Sequence, residues 1–340
     1  MLPPDLLRAS PPPACDAPGV RRHRVALALA GLALTGLACA TLPRAAPGPR
    51  FSGERALDLL ARLLADSPRA LGDPRRDAAI DALADDLKRR GAATVEPLDH
   101  EGVDPWTGRT YRLRTLIADV RPAAPHRFVL ATHFDTRPWA EEDPDPARRD
   151  APIPGANDGT SGLAVALTLI PLLVDQLPAE HGFSVILFDG EELGRPPAEG
   201  YLLGSRALAS ALAAGRFPRV AAARYAIILD MVGDADLRFV VDPASRDAAP
   251  WLLDALWREA AAAGFTDAFP AEALIRPIID DHRPLIDAGL PAVVLLDPDY
   301  PPWHTHADAL DRVSARSLEA TGETVRRAIL ALARDASPRG

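Results

Sequence analysis

Apolar and polar positions along the chain fall into alternating blocks with two different periods. Leu57, Leu59, Leu60, Leu63 and Leu64 recur at helical spacing, and residues 79–90 repeat that pattern until Gly91 stops it. Residues 94–98, 111–120 and 127–132 read as successive strands. A mostly apolar helix is predicted over 162–174. Residues 183–188, apolar but for Ser184, form a run of the kind buried on both faces of a sheet. Beyond it come a helix over 205–214, a strand over 225–229, a further strand over 237–241 and a helix over 250–263. One or two helical turns at 284–288, a core strand at 292–296 and a closing helix at 315–332 complete the pattern. This alternation predicts an α/β fold in three layers, with a mixed, mostly parallel central sheet flanked by helices. Such sheets carry their sites at the carboxyl ends of strands.

The polar residues that need explaining sit just past those apolar runs. His133-Phe134-Asp135 follows the third strand, and its first and third residues are predicted to share a face. A carboxylate beside a histidine is the usual way to orient a metal-facing ring. Asn157-Asp158-Gly159-Thr160-Ser161-Gly162 precedes a helix. Asp158 or Thr160 there is either a helix cap or, for Asp158, a metal ligand presented by a glycine-rich turn. Asp189-Gly190-Glu191-Glu192 closes the buried apolar run. Adjacent carboxylates in such a place are costly unless paired or bound to a cation. Because neighbouring side chains diverge, one glutamate can ligate zinc while the other serves as general acid/base. Asp230 follows residues 227–229, Asp280-Asp281-His282 lies between hydrophobic stretches, and Trp303-His304-Thr305-His306-Ala307-Asp308 follows the last strand.

Composition narrows the chemistry. The two cysteines, Cys15 and Cys39, lie in the first forty of 340 residues, so a metal in the body of the protein must be held by histidine and carboxylates. A net charge of -9 argues against a nucleic-acid partner, and no Gly-x-Ser-x-Gly elbow supports a serine hydrolase. Residues 1–24 are proline-rich and then basic, and residues 25–40 are an apolar run with the layout of an export signal. Cleavage after Ala40, lipidation of Cys39 in a lipoprotein-type box, or an uncleaved anchor are the alternatives. An exported protein is expected, periplasmic or extracellular, or held to a membrane through its N-terminus alone. Residues 41–51 read as a linker before a single domain over 52–336.

The joint pattern of His-x-Asp, Asn-Asp-x-x-Ser-Gly, Asp-Gly-Glu-Glu, Leu-Asp-Met-x-Gly and a late His-Thr resembles the zinc aminopeptidase superfamily over residues 52–332. Within it, three features are more similar to the animal-type glutaminyl cyclases. These are the long insertion at 193–203 before Gly204-Ser205-Arg206, the Asp280-Asp281-His282-Arg283-Pro284-Leu285 segment, and Trp303 before His304. The resemblance implies a glutaminyl-peptide cyclotransferase acting on peptide or protein N-termini. One zinc would be held by Asp158, Glu192 and His304, with Glu191 as general acid/base, Asp281 and Asp230 handling protons, and Trp303 lining the substrate pocket. The alternative it implies is a two-zinc aminopeptidase, in which His133 and Asp230 also ligate and Asp158 bridges. A metal-free binding protein on the same scaffold is the reading of another class. One departure stands out: cyclases carry an aromatic residue in the loop after the paired glutamates, and only Tyr201 is available here.

Overall fold

Six strands form one sheet in the order β1-β2-β4-β3-β5-β6 in the computed structural model, which describes residues 48–65, 69–195 and 200–336. The basic and apolar N-terminal segments, with Cys15 and Cys39, lie outside the described residues. Helices α1 (Gly53–Ala65) and α2 (Arg76–Arg90) precede a hairpin of β1 (Thr94–Val103) and β2 (Thr110–Val120). Then follow β3 (His126–His133), α3 (Ser161–Gln176), β4 (His181–Phe188), α4 (Leu203–Ala213), α5 (Pro218–Ala221) and β5 (Ala226–Leu229). The chain ends with α6 (Pro243–Ala248), α7 (Pro250–Ala263), α8 (His282–Asp287), β6 (Ala292–Leu295) and α9 (Ala315–Ala336). Strands β3 to β6 are mutually parallel, and β2 joins them antiparallel to β4. The sheet is therefore mixed and mostly parallel.

Alternation along the central strands explains the three layers. Phe128 and Leu130 of β3, with Phe183, Val185 and Leu187 of β4, pack into a core shared with α1, α2, α3, α7 and α9. The intervening Val129 and Ala131, with Ile186 and Phe188, face α4, α5 and α8. Every residue of β4 is buried, including Ser184, whose hydroxyl donates to Asp119 at 2.6 Å. Phe51, at the end of the expected linker, is buried in the first core, and its N–H donates to Glu323 at 3.0 Å.

The structure corrects one expected strand. Residues 237–241 are extended and bury Leu237, Phe239 and Val241, but they do not join the sheet. Their N–H groups go instead to loop carbonyls, Phe239 to Ala268 and Val241 to Leu274, leaving one isolated bridge from Val241 to Ile275. An apolar run is buried in the same way whether its backbone partner is a strand or a loop, so the apolar pattern could not separate them. The short helices α5 and α6 were not foreseen. Each starts with proline at its first turn, and α6 is capped by Asp242, which accepts the Ser245 N–H at 2.7 Å.

Strand β3 leads to β4 on one side, while β4 leads across β3 to β5 on the other. That reversal leaves a crevice at the carboxyl ends of β4, β3 and β5, the place where open parallel sheets collect ligands.

Candidate active site

The elements deliver their polar residues to that crevice one by one. His133 is the last residue of β3, in register with Phe188, the last of β4. After Phe188 the chain turns at Gly190, whose φ of +79° is the left-handed conformation that glycine allows, and presents Glu191 and Glu192. Asp230 follows β5 directly. Asp158 sits in the turn before α3. There Gly159 has φ +85°, and a Cβ on it would lie 2.3 Å from the Asp135 carbonyl. His304 lies beyond β6 with φ +55°, a backbone strain of the kind concentrated at functional sites.

These residues converge. Donor atoms of Asp158, Glu192 and His304 all lie within 4.8 Å of one another, and the three side chains are buried. His304 Nε2 is 3.5 Å from Glu192 Oε2 and 3.7 Å from Asp158 Oδ2. A second group joins at Asp158: His133 Nε2 is 3.3 Å from Asp158 Oδ1 and 3.0 Å from Asp230 Oδ1. Glu191 falls within the same reach of His133 and Glu192. Asp280 and Asp281 are buried beside this cluster, and both oxygens of Asp281 and Oδ2 of Asp280 have no hydrogen-bond partner. Trp303 is 41% exposed and stacks on the His304 ring at 3.5 Å between centroids.

Crowded, desolvated charge dominates the electrostatics. Burial and the nearby Glu192 push Asp158 well above the usual carboxylate range. The same two causes raise Glu191, with Asp281 and Asp280 adding to them. Glu192 goes the other way: burial disfavours its charge, but His304 and Arg137 more than offset that and hold it below the ordinary value. Asp281 is pushed up to about 7 by burial, with Asp135 and Asp230 adding to it against His133 and the nearby Ser205 hydroxyl, which makes its hydrogen bond to the Leu202 carbonyl. Burial would lower His304, but Glu192 and Glu141 raise it to about 9.

The model of peptidase family M28 matches residues 115–329, well over half of the chain. The chain belongs to peptidase family M28. Among solved structures, this M28 protein is similar to a glutaminyl cyclase from Porphyromonas gingivalis, with 32% identity and a TM-score of 0.74 over 82% of this chain and 98% of that one. It is also similar to a Zn-dependent exopeptidase from Parabacteroides distasonis, with 29% identity and a TM-score of 0.75 over 83% and 99% of the two chains. A curated relative is the glutaminyl-peptide cyclotransferase of Gloydius blomhoffii, 27% identical over 243 residues. That match covers 63% of this chain and spans 63% of the relative's length.

The M28 site's donor set fits a zinc ion. Ligand atoms about 2.0–2.1 Å from a tetrahedral zinc stand about 3.3–3.4 Å apart, close to the spacings around His304 and His133. Glu192 Oε1 is buried without a hydrogen-bond partner, an orphaned acceptor that a cation explains. Two carboxylates and an imidazole, with no thiolate among the described residues, suit zinc in an open catalytic site.

Local details depart from the sequence reading. Strand β3 ends at His133, so Asp135 does not share a strand face with it. Its Oδ1 is 3.7 Å from His133 Nδ1, and it accepts the N–H groups of Glu191 at 3.3 Å and Glu192 at 3.0 Å. Asp135 thus fixes the turn that presents both glutamates. Thr160 makes no capping bond and donates to the Gly155 carbonyl. Tyr201, the single aromatic candidate of the 193–203 insertion, gives its hydroxyl to Arg137 as acceptor at 3.0 Å. Arg137 and Glu141 were missed altogether, and Asp308, though part of the cluster past the last strand, was given no role. Asp308 accepts the N–H groups of Asn157 at 2.8 Å and Asp158 at 3.1 Å, and Arg137 and Glu141 touch Glu192 and His304. The one signal for Asp308 was its place four residues after His304.

Proposed function

We propose that the chain is a zinc-dependent glutaminyl-peptide cyclotransferase, converting the N-terminal glutamine of a peptide or protein to pyroglutamate with release of ammonia. The observation that carries this reading is the buried Asp280–Asp281 pair, which lies against the metal-type cluster without belonging to any of its ligand groups. A pair outside the ligand groups and short of hydrogen bonds is placed to hold the hydrogens of a substrate amine, which in cyclisation is itself the nucleophile and must be aligned. The likeness to the Porphyromonas gingivalis and Gloydius blomhoffii proteins supports it.

Asp158, Glu192 and His304 hold one zinc ion, which when bound supplies Lewis-acid polarisation of the side-chain amide carbonyl. Glu191 takes the proton from the α-amine as that nitrogen bonds to the amide carbon. The same proton passes to the amide nitrogen, whose bond to carbon breaks as ammonia leaves. Asp281 and Asp230 keep the amine aligned and accept its remaining hydrogen bonds. Trp303, stacked on His304 yet part exposed, forms a wall for the glutamine side chain. Nucleophile and electrophile belong to one residue, so the protein's task is mainly alignment.

A second reading, a two-zinc aminopeptidase, rests on the spacing of His133, Asp158 and Asp230, which is also that of metal ligands. Mass spectrometry of a Gln-initiated peptide after incubation, with zinc counted per chain, separates the two. Cyclisation removes the mass of ammonia and needs one zinc. Removal of a whole residue with two zinc ions would replace the cyclase by the peptidase.

We further propose that the chain is exported through residues 25–40, with Cys39 lipidated or cleavage after Ala40. Any membrane contact then runs through the N-terminus, since among the described residues no helix is long and apolar enough to cross a membrane. Mass spectrometry of the native N-terminus checks this, and an intact N-terminus in a cytoplasmic fraction would contradict it.

A further inference from the structure

Arg137 has no solvent exposure, and one guanidinium there reaches two arms of the ligand cluster. Its Nη1 donates to the Glu192 carbonyl at 2.9 Å and lies 3.3 Å from Glu192 Oε2. Its Nε donates to Glu141 Oε2 at 3.1 Å, and its Nη2 donates to Glu141 Oε1, a two-pronged pair. Glu141 Oε1 in turn accepts from His304 Nδ1 at 2.8 Å. That bond favours a proton on Nδ1, so that Nε2, the nitrogen facing Asp158 and Glu192, is the one left to face a metal ion when one is bound. The rings of Trp139 and Tyr201 lie 5.1 and 5.2 Å from the guanidinium carbon and fix its plane. Trp303 stacked on His304 fixes the remaining rotation of that ring.

We propose that Arg137 and Glu141 are a positioning pair for the metal: Arg137 sets Glu192 directly and sets His304 through Glu141, so that two ligands from distant parts of the chain are held by one cation. This rests on the zinc reading of the site. The backbone around the pair has no regular structure between β3 and α3 apart from one 3-10 turn, so the orientation of Glu141 depends on these side-chain bonds. A loop tether alone would need neither the contact with Glu192 Oε2 nor the bond to His304 Nδ1. Lysine cannot replace the arginine, because an ammonium is a point donor and cannot grip Glu141 with two parallel bonds while reaching Glu192.

The test is zinc affinity by chelator competition on the full chain and on Arg137→Lys and Glu141→Gln, beside thermal unfolding of each protein with the metal stripped. Loss of a partner behind a metal ligand typically weakens metal binding about 10- to 100-fold, and both variants are expected in that range. Cobalt substituted for zinc should show a shifted visible absorption in Glu141→Gln, because His304 loses its fixed orientation. Stripped variants should unfold within a few degrees of the stripped parent. Unchanged affinity and an unchanged cobalt spectrum in both variants would overturn the proposal, as would a fall in stability with affinity intact. A parent chain that binds no zinc would remove the reading of the site itself, and the proposal with it.

Discussion

Two sets of buried carboxylates behave oppositely in this molecule. In the scaffold, each finds its partners within the chain. Asp119 meets Arg127 at 2.9 Å, the Ser184 hydroxyl at 2.6 Å and Arg219 at 3.2 Å. Glu323 is gripped by both arms of Arg326 and caps the Phe51 N–H, while Asp242 accepts from Ser245, Ile278 and the His282 ring. At the carboxyl ends of the strands, Glu192 Oε1, Asp280 Oδ2 and both Asp281 oxygens are left without hydrogen bonds. A buried charge costs several kcal/mol unless it is compensated. The scaffold acids are compensated by arginine and backbone; these oxygens of the site acids have no such compensation among the described residues. Burial alone does not separate the two sets, but hydrogen-bond saturation does.

The sharpest way to break that contrast is at the paired glutamates. Glu191→Gln should keep zinc and lose turnover by about 10²–10⁴-fold, whereas Glu192→Ala should lose the metal. Metal analysis beside turnover decides it, and equal zinc loss in both would erase the division between them. In the scaffold, Asp119→Ala strands the buried Arg127 and should cost about 3–5 kcal/mol of stability while each folded molecule keeps its zinc. Denaturant unfolding with metal analysis reads both, and loss of zinc there would show that the two sets are not independent. The smallest effect expected is at Asp242. Burial raises its carboxyl, but His282 and the Ile278 and Ser245 amides more than offset this and hold it below the ordinary value. Its contribution is therefore full above the unfolded pKa of about 3.9 and is lost as the pH falls through that range toward the folded value. Asp242→Asn should flatten the acid fall of the unfolding midpoint, and an unchanged slope between the two proteins would show that another group governs it.

Much of the architecture was readable before any coordinates. The helix over 250–263 appears with those bounds, starting at Pro250 and closed by Gly264 at φ +84°. Here local chemistry and tertiary packing agree. Each acid or histidine cluster singled out after an apolar run lies at or beside the carboxyl-end crevice. The reason is topological: parallel strands all end on one side, so residues just past them are gathered without any sequence proximity. Residues 237–241 show the limit, since their apolar run described burial and not the hydrogen-bond partner.

Arg137 and Glu141 show the same limit within the site. In sequence they are ordinary charged residues in polar loops, and nothing local distinguishes Glu141 from Glu142. What separates them is that Glu141 reaches His304 across 163 positions, a contact only the packed loops create. The chain's sequence by itself determined which residues can bind a metal and move a proton, because side-chain chemistry and strand ends are written locally. Tertiary structure alone decided which carboxylates are neutralised and which are left open, because hydrogen-bond saturation belongs to the neighbours that folding brings together.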